Sequence, residues 1–224
     1  MSSIRLRLGH QLGALFLALA SLSAHADFAA DVTVTLIAPG GLVADAMPIS
    51  LEQTVAVANL AGGVLAGNLG GSGDISGFML DNERVSFSGN SILIRAAVGD
   101  VTGGVWTTGY LGAGGSAARY EISGLAITGQ AITGFAVYAF DGYATSGVSG
   151  LLSPPDPASL VQLAGGGTIR FNLDSLVFVQ RPGGEGDSYA EFRIDLLTTP
   201  VPEPATWLLL AGGLLLVLRR SRKS

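Results

Sequence analysis

The chain contains no cysteine, and its two histidines, His10 and His25, both fall within the first 26 residues. Between Asp27 and Thr199, 173 residues in all, there is no lysine either. That stretch therefore has no thiol, imidazole or ammonium side chain. Ser–His–Asp, Cys–His and Ser–Lys nucleophilic systems draw on those groups, so none can be assembled there. Zinc, copper and haem centres lose their usual ligands on the same ground, and no cofactor is expected. No disulfide can staple the fold, so its stability must come from a buried core, which about 170 residues can build.

Positive charge is scarce as well. The same stretch carries six arginines against sixteen Asp and Glu, a net charge of −10. Such a surface repels phosphate backbones, whose recognition needs clustered Lys and Arg, and this excludes DNA and RNA as partners. Carboxylate chemistry alone passes this filter, because glycosidases work with two Asp or Glu residues. The candidates are Asp81, Glu83, Asp100, Glu121, Asp141, Asp174, Asp187, Glu191 and Asp195. They are scattered through turns and the polar sides of strand-like segments, without a convergent pair, and solvated carboxylates are the plainer reading.

The two ends differ from this middle. Arg5 and Arg7 precede an apolar run from Leu12 to Leu22 and the small-x-small triplet Ala24-His25-Ala26. That order describes an export signal, residues 1–26, cut after Ala26. A first transmembrane helix would need a longer run. At the other end Val201-Pro202-Glu203-Pro204 leads into an apolar run from Ala205 to Leu218, then Arg219, Arg220, Arg222 and Lys223. The run holds 14 residues, and as a helix it reaches roughly 21 Å, short of the ~30 Å hydrocarbon layer. It makes a poor permanent anchor, although length alone leaves a plain tail anchor open. Trp207 suits one interface, and the four basic side chains suit the cytoplasmic one. The two prolines fix φ and cannot continue a helix, so the segment ahead of the run is extended and open to a processing enzyme.

A Pro-Glu-Pro triplet, a Leu/Gly-rich apolar segment and an Arg-rich end, over residues 200–224, resemble the PEP-CTERM sorting signal of Gram-negative bacteria. The resemblance implies that an exosortase, a membrane transpeptidase, cleaves near the triplet. Val201, Pro202, Glu203 and Pro204 would then be the motif it reads, and Arg219, Arg220, Arg222 and Lys223 the stop-transfer charges. It further implies an exported protein, held for a time in the inner membrane as a transmembrane helix and then passed to the cell surface or the extracellular matrix.

Residues 27–199 read as one exported domain of β-strands. Asp31 to Leu36 alternates apolar and polar, and Ile49 to Ala58 puts Val55 and Val57 on one face. The Gly-rich stretch Gly62 to Gly73 lacks a Gly-Lys-Ser/Thr ending and is a connecting loop. Ile75 to Leu80 and Glu83 to Ser88 form a hairpin about Asp81-Asn82. Ser91 to Val98 follows, a strand able to pair edge to edge in assembly. Trp106 and Tyr110 project from one face of Val105 to Leu111. An aromatic row of this kind is either a sugar-stacking platform or part of the core, and the core is favoured. Ala118 to Ser123 is two-faced, and Ala126 to Gly134 is a bulged strand with Gly at its bends. Phe135 to Phe140 is apolar on both faces, as a central strand is. Ala158 to Leu163 is ambiguous, and Thr168 to Gln180 and Tyr189 to Leu197 complete the set. Glu185 and Asp187 lie in a Gly-rich turn without the spacing of a calcium loop.

About nine to twelve short strands separated by turn residues predict an all-β fold, an antiparallel two-sheet β-sandwich of jelly-roll or Greek-key connectivity, flanked by the two terminal helices. The expected function is structural or adhesive, at the surface or in a matrix of extracellular polysaccharide. A carbohydrate-binding module is the alternative, and a carboxylate-only glycosidase a more distant one. Mass spectrometry of the mature protein is expected to find a start at Asp27 and an end near Pro202. Intact termini in the recovered protein would overturn both processing assignments.

Overall fold

The computed structural model describes residues 27–67, 74–101, 104–140, 151–152, 155–165, 167–178 and 189–201. The expected signal peptide, with Ala24 and Ala26, and the terminal apolar helix lie outside them. Strand labels follow chain order. One five-stranded sheet runs β11 (Val161–Ala164), β12 (Thr168–Asn172), β9 (Arg119–Ser123), β1 (Val32–Ala38), β3 (Ile49–Val55). The other runs β10 (Gln130–Phe140), β14 (Tyr189–Pro200), β6 (Ser91–Ala97), β5 (Arg84–Ser88), β4 (Val64–Leu65). Two short ladders supplement them, β13 (Val177–Phe178) with β7 (Trp106–Thr107) and β2 (Gly41–Leu42) with β8 (Tyr110–Leu111). Every pairing is antiparallel.

Period-two alternation produces this arrangement. In β1, Val32, Val34, Leu36 and Ala38 are buried while the residues between them are half-buried. In β14, Ala190, Phe192, Ile194 and Leu196 are buried, and in β6 Ile92, Ile94 and Ala96. One cluster holds the inward residues of both sheets. Phe171 of β12 meets Phe192 of β14 edge-on at 5.0 Å between ring centroids, and Phe28 meets Phe87 at 5.5 Å. Burying a side chain of that size contributes about 1.5–3 kcal/mol, which is how the two sheets hold together without a covalent link.

Several expectations change. Ile75–Gly77 is a 3₁₀ turn, so Glu83 to Ser88 has no hairpin partner there, although Asn82 does take the left-handed conformation, with φ 69°. Val57 begins another 3₁₀ turn and is exposed instead of sharing a face with buried Val55. Ser91–Ala97 is an interior strand between β14 and β5, so its edges are already used. Conversely, β10 is an edge strand. Its double-sided apolar character arises because Phe135 and Val137 pack against the core while Tyr138, on the other face, is exposed. Its register with β14 shifts between Ile132 and Gly134, the bulge that the glycines predicted. Val105 to Leu111 breaks into β7 and β8 around buried Thr108, and Thr168 to Gln180 breaks at the turn after Asn172. The ambiguous segment becomes a short helix, α1 (Pro157–Leu160), running into β11.

Gly63 and Gly114 both have φ close to +60°. A Cβ on Gly63 would sit 2.0 Å from the Val85 carbonyl oxygen, whereas one on Gly114 meets nothing within 4 Å. Gly114→Ala is expected to cost only the left-handed penalty, about 1–2 kcal/mol. Gly63→Ala is expected to cost at least about 2 kcal/mol more, since β4 must move off β5. Urea denaturation of the two variants measures the difference.

Candidate functional site

Glu83 immediately precedes β5 and shares the parity of Val85 and Phe87, so the strand that follows aims it at the interior. It is 2 % exposed. Its Oε2 accepts from the Tyr110 hydroxyl at 2.7 Å, the Tyr120 hydroxyl at 3.0 Å and the Leu80 N–H at 3.0 Å. Its Oε1 accepts from the Ala97 N–H at 3.3 Å. Tyr110 also lies 3.1 Å from the Phe78 carbonyl oxygen, so its single proton serves one acceptor at a time. The cluster joins β8, the turn before β5, the end of β6 and β9 of the opposite sheet.

Burial disfavours the charged carboxylate and pushes the Glu83 pKa up to about 7, against the opposing pull of its hydrogen bonds to Tyr110, Leu80, Ala97 and Tyr120. Both tyrosines are raised well above the usual phenol range, by burial first and then by the nearby Glu83 charge. A carboxyl near pH 7 has the acidity of a general acid. Here its partners are two phenols and backbone amides, and it is sealed from solvent. The arrangement can hold a proton and tie four elements together, a role that structural networks also produce.

The other expected site residues are placed as follows. Tyr110 is 2 % exposed, so its ring lies in the core and cannot stack on a ligand; Trp106 is half-buried against the core, pairing with Phe178 through β7 and β13. They belong to different ladders, which removes the proposed aromatic row. Glu121 takes Arg170 at 2.8 Å and Arg119 at 3.4 Å, Glu191 pairs with Arg95, and Asp195 lies 3.0 Å from Arg193. Asp174 accepts from the Ala118 N–H at 3.2 Å. Among the described residues no group of three or more His, Cys, Asp or Glu could hold a metal ion. Asp141, Glu185 and Asp187 lie outside them. So do Pro202, Glu203, Pro204, Arg219, Arg220, Arg222 and Lys223. Val201 is described: it is half exposed, and its N–H donates to the Gly129 carbonyl at 2.9 Å. The sorting triplet thus begins one residue beyond a backbone hydrogen bond at the end of β14. Among the described residues no helix is long and apolar enough to cross a membrane.

Residues 200–223 match the PEP-CTERM protein-sorting motif. The motif implies an exported protein that an exosortase processes, with a transient membrane association. No curated protein and no solved structure gives a match.

Because the pKa of Glu83 is higher folded than unfolded, about 7 against 4.5, its stabilising contribution is complete below pH 4.5 and is lost as pH rises to about 7. The difference corresponds to about 3 kcal/mol. Between pH 4.5 and 8, the stability of Glu83→Gln relative to the unsubstituted chain is expected to shift by about that amount in the variant's favour, read from urea unfolding at each pH. A pH-independent gap would show that Glu83 titrates normally.

Proposed function

We propose that the mature domain is a structural or adhesive component of the cell surface or extracellular matrix, and not an enzyme. The observation that carries this reading is the join at Val201. A removable sorting tail follows, without a spacer, a domain that has no histidine, cysteine or lysine between Asp27 and Thr199. The burial of Glu83 supports it further, because this carboxyl, whose pKa is raised to about 7, is 2 % exposed and has no opening to a substrate. In this reading the short tail holds the exported chain at the inner membrane until the exosortase reads Pro202, Glu203 and Pro204. Release then leaves a rigid acidic sandwich in the matrix.

Cell fractionation tests the proposal. A chain with Pro202, Glu203 and Pro204 all changed to Ala is expected to accumulate uncut in the inner membrane, while the unsubstituted protein reaches the matrix fraction. Incubated with polysaccharide from that fraction, the protein is expected to release no new reducing ends. Cytosolic recovery of the unsubstituted chain would overturn the sorting route. Sugar release abolished by substituting one carboxylate would overturn the non-enzymatic role.

A further inference from the structure

The outward face of β5, β6 and β14 departs from the charge pattern of the rest of the domain. Arg84 and Arg95 are register partners on adjacent antiparallel strands. Like charges directly opposite one another destabilise a sheet, and among the described residues one carboxylate relieves this pair. Glu191, the register partner of Arg95 on its other side, bonds the Arg95 guanidinium, with Nε at 2.8 Å. Among the described residues Arg84 has no hydrogen-bond or ion-pair partner. With Arg193 they bound a groove of about 300 Å³ floored by half-buried Leu93. Three of the domain's six arginines therefore converge on one groove of a body whose net charge is −10.

Two of these guanidiniums are held in place by aromatic rings. Arg95 lies over the Tyr189 ring at 4.3 Å from its centroid, and Arg193 over Tyr138 at 4.7 Å. Such stacking orients the planar fork and lowers the entropy lost when it binds a carboxylate with two parallel hydrogen bonds. On this face Glu191 answers Arg95 and Asp195 answers Arg193, so Arg84 is the groove arginine that no described carboxylate meets, whereas on the opposite sheet Glu121 binds both Arg119 and Arg170. A like-charge pair that is only half compensated is what a binding site leaves behind.

We propose that this groove binds a carboxylated glycan, a chain of uronate sugars. Each ring of such a polymer brings one carboxylate to a guanidinium and an apolar face to Leu93. A nucleic acid would bring far denser negative charge against the net −10 of the domain. An acidic peptide would find the backbone N–H and C=O groups of β6 already engaged by β5 and β14, so strand addition is closed to it. Recognition has to come from side chains, which suits a sugar polymer. The proposal rests on the adhesive reading only for the place where domain and glycan meet.

The full chain in detergent, titrated calorimetrically with oligogalacturonate at low salt, tests it. Binding is expected, weakening as salt rises, with none to neutral dextran oligomers. Arg84→Gln, which removes no hydrogen bond or ion pair among the described residues, is expected to weaken binding about tenfold at unchanged Tm. Arg119→Gln, on the other sheet, is expected to bind as the unsubstituted chain does. Absence of oligogalacturonate binding, equal affinity in Arg84→Gln, or equally tight binding of polyglutamate would each overturn the proposal. None of these results would bear on cleavage at the sorting motif.

Discussion

Two apolar sheet faces kept in phase with one another hold this protein together, because it has no disulfide to tolerate an error of register. A one-residue slip of a strand turns its whole buried set outward. The strand with most at stake is β14, which lies between β10 and β6 and sends Ala190, Phe192, Ile194 and Leu196 inward. Its register is fixed from outside the ladder as well. Leu196 donates its N–H to the Asn90 carbonyl at 3.0 Å, the Asn90 side-chain amide donates to the Leu196 carbonyl at 2.8 Å, and the Ser91 hydroxyl donates to Asp195 at 2.7 Å. The turn joining β5 to β6 thereby clamps a strand from the far end of the sequence.

Glu83 is the exception inside that apolar body. A buried carboxyl is tolerated only when its hydrogen-bonding capacity is met, and this one meets two phenols and two backbone amides. Since those donors come from both sheets and from β8, the network fixes how one end of the sandwich closes. Near neutral pH the group is buried and hydrogen-bonded inside the fold, so its protonation bears on stability.

Strands with strict alternation were legible before any coordinates. β1, β6, β9 and the inner face of β14 follow directly from residue spacing, as does the bulge near Gly134. Other features were not. Tertiary packing turned Ile75–Gly77 from a strand into a turn, which local propensity does not report. The place of β10 at an edge depends on pairing order, and period-two patterns contain no information on order. Glu83 is different, because the signal was present: its parity with Val85 and Phe87 puts it on the buried face, and the charge of the residue type obscured it. The groove arginines were invisible one by one, since Arg84, Arg95 and Arg193 become neighbours only through the register of three strands.

That separation has a physical consequence for how function can be carried. The inward residues of β5, β6 and β14 are committed to the core, whereas Arg84, Arg95 and Arg193 alternate with them on the other face and are only half-buried. Arg84 lies beside buried Val85, Arg95 beside Ile94 and Arg193 beside Phe192, so the groove is positioned by the same strands that stabilise the fold. The tail is attached on the same principle. β14 pairs with β10 as far as Pro200 opposite Gln130, and the Val201 N–H still reaches the Gly129 carbonyl. The sorting motif therefore starts beside a strand whose inward residues are fixed in the core.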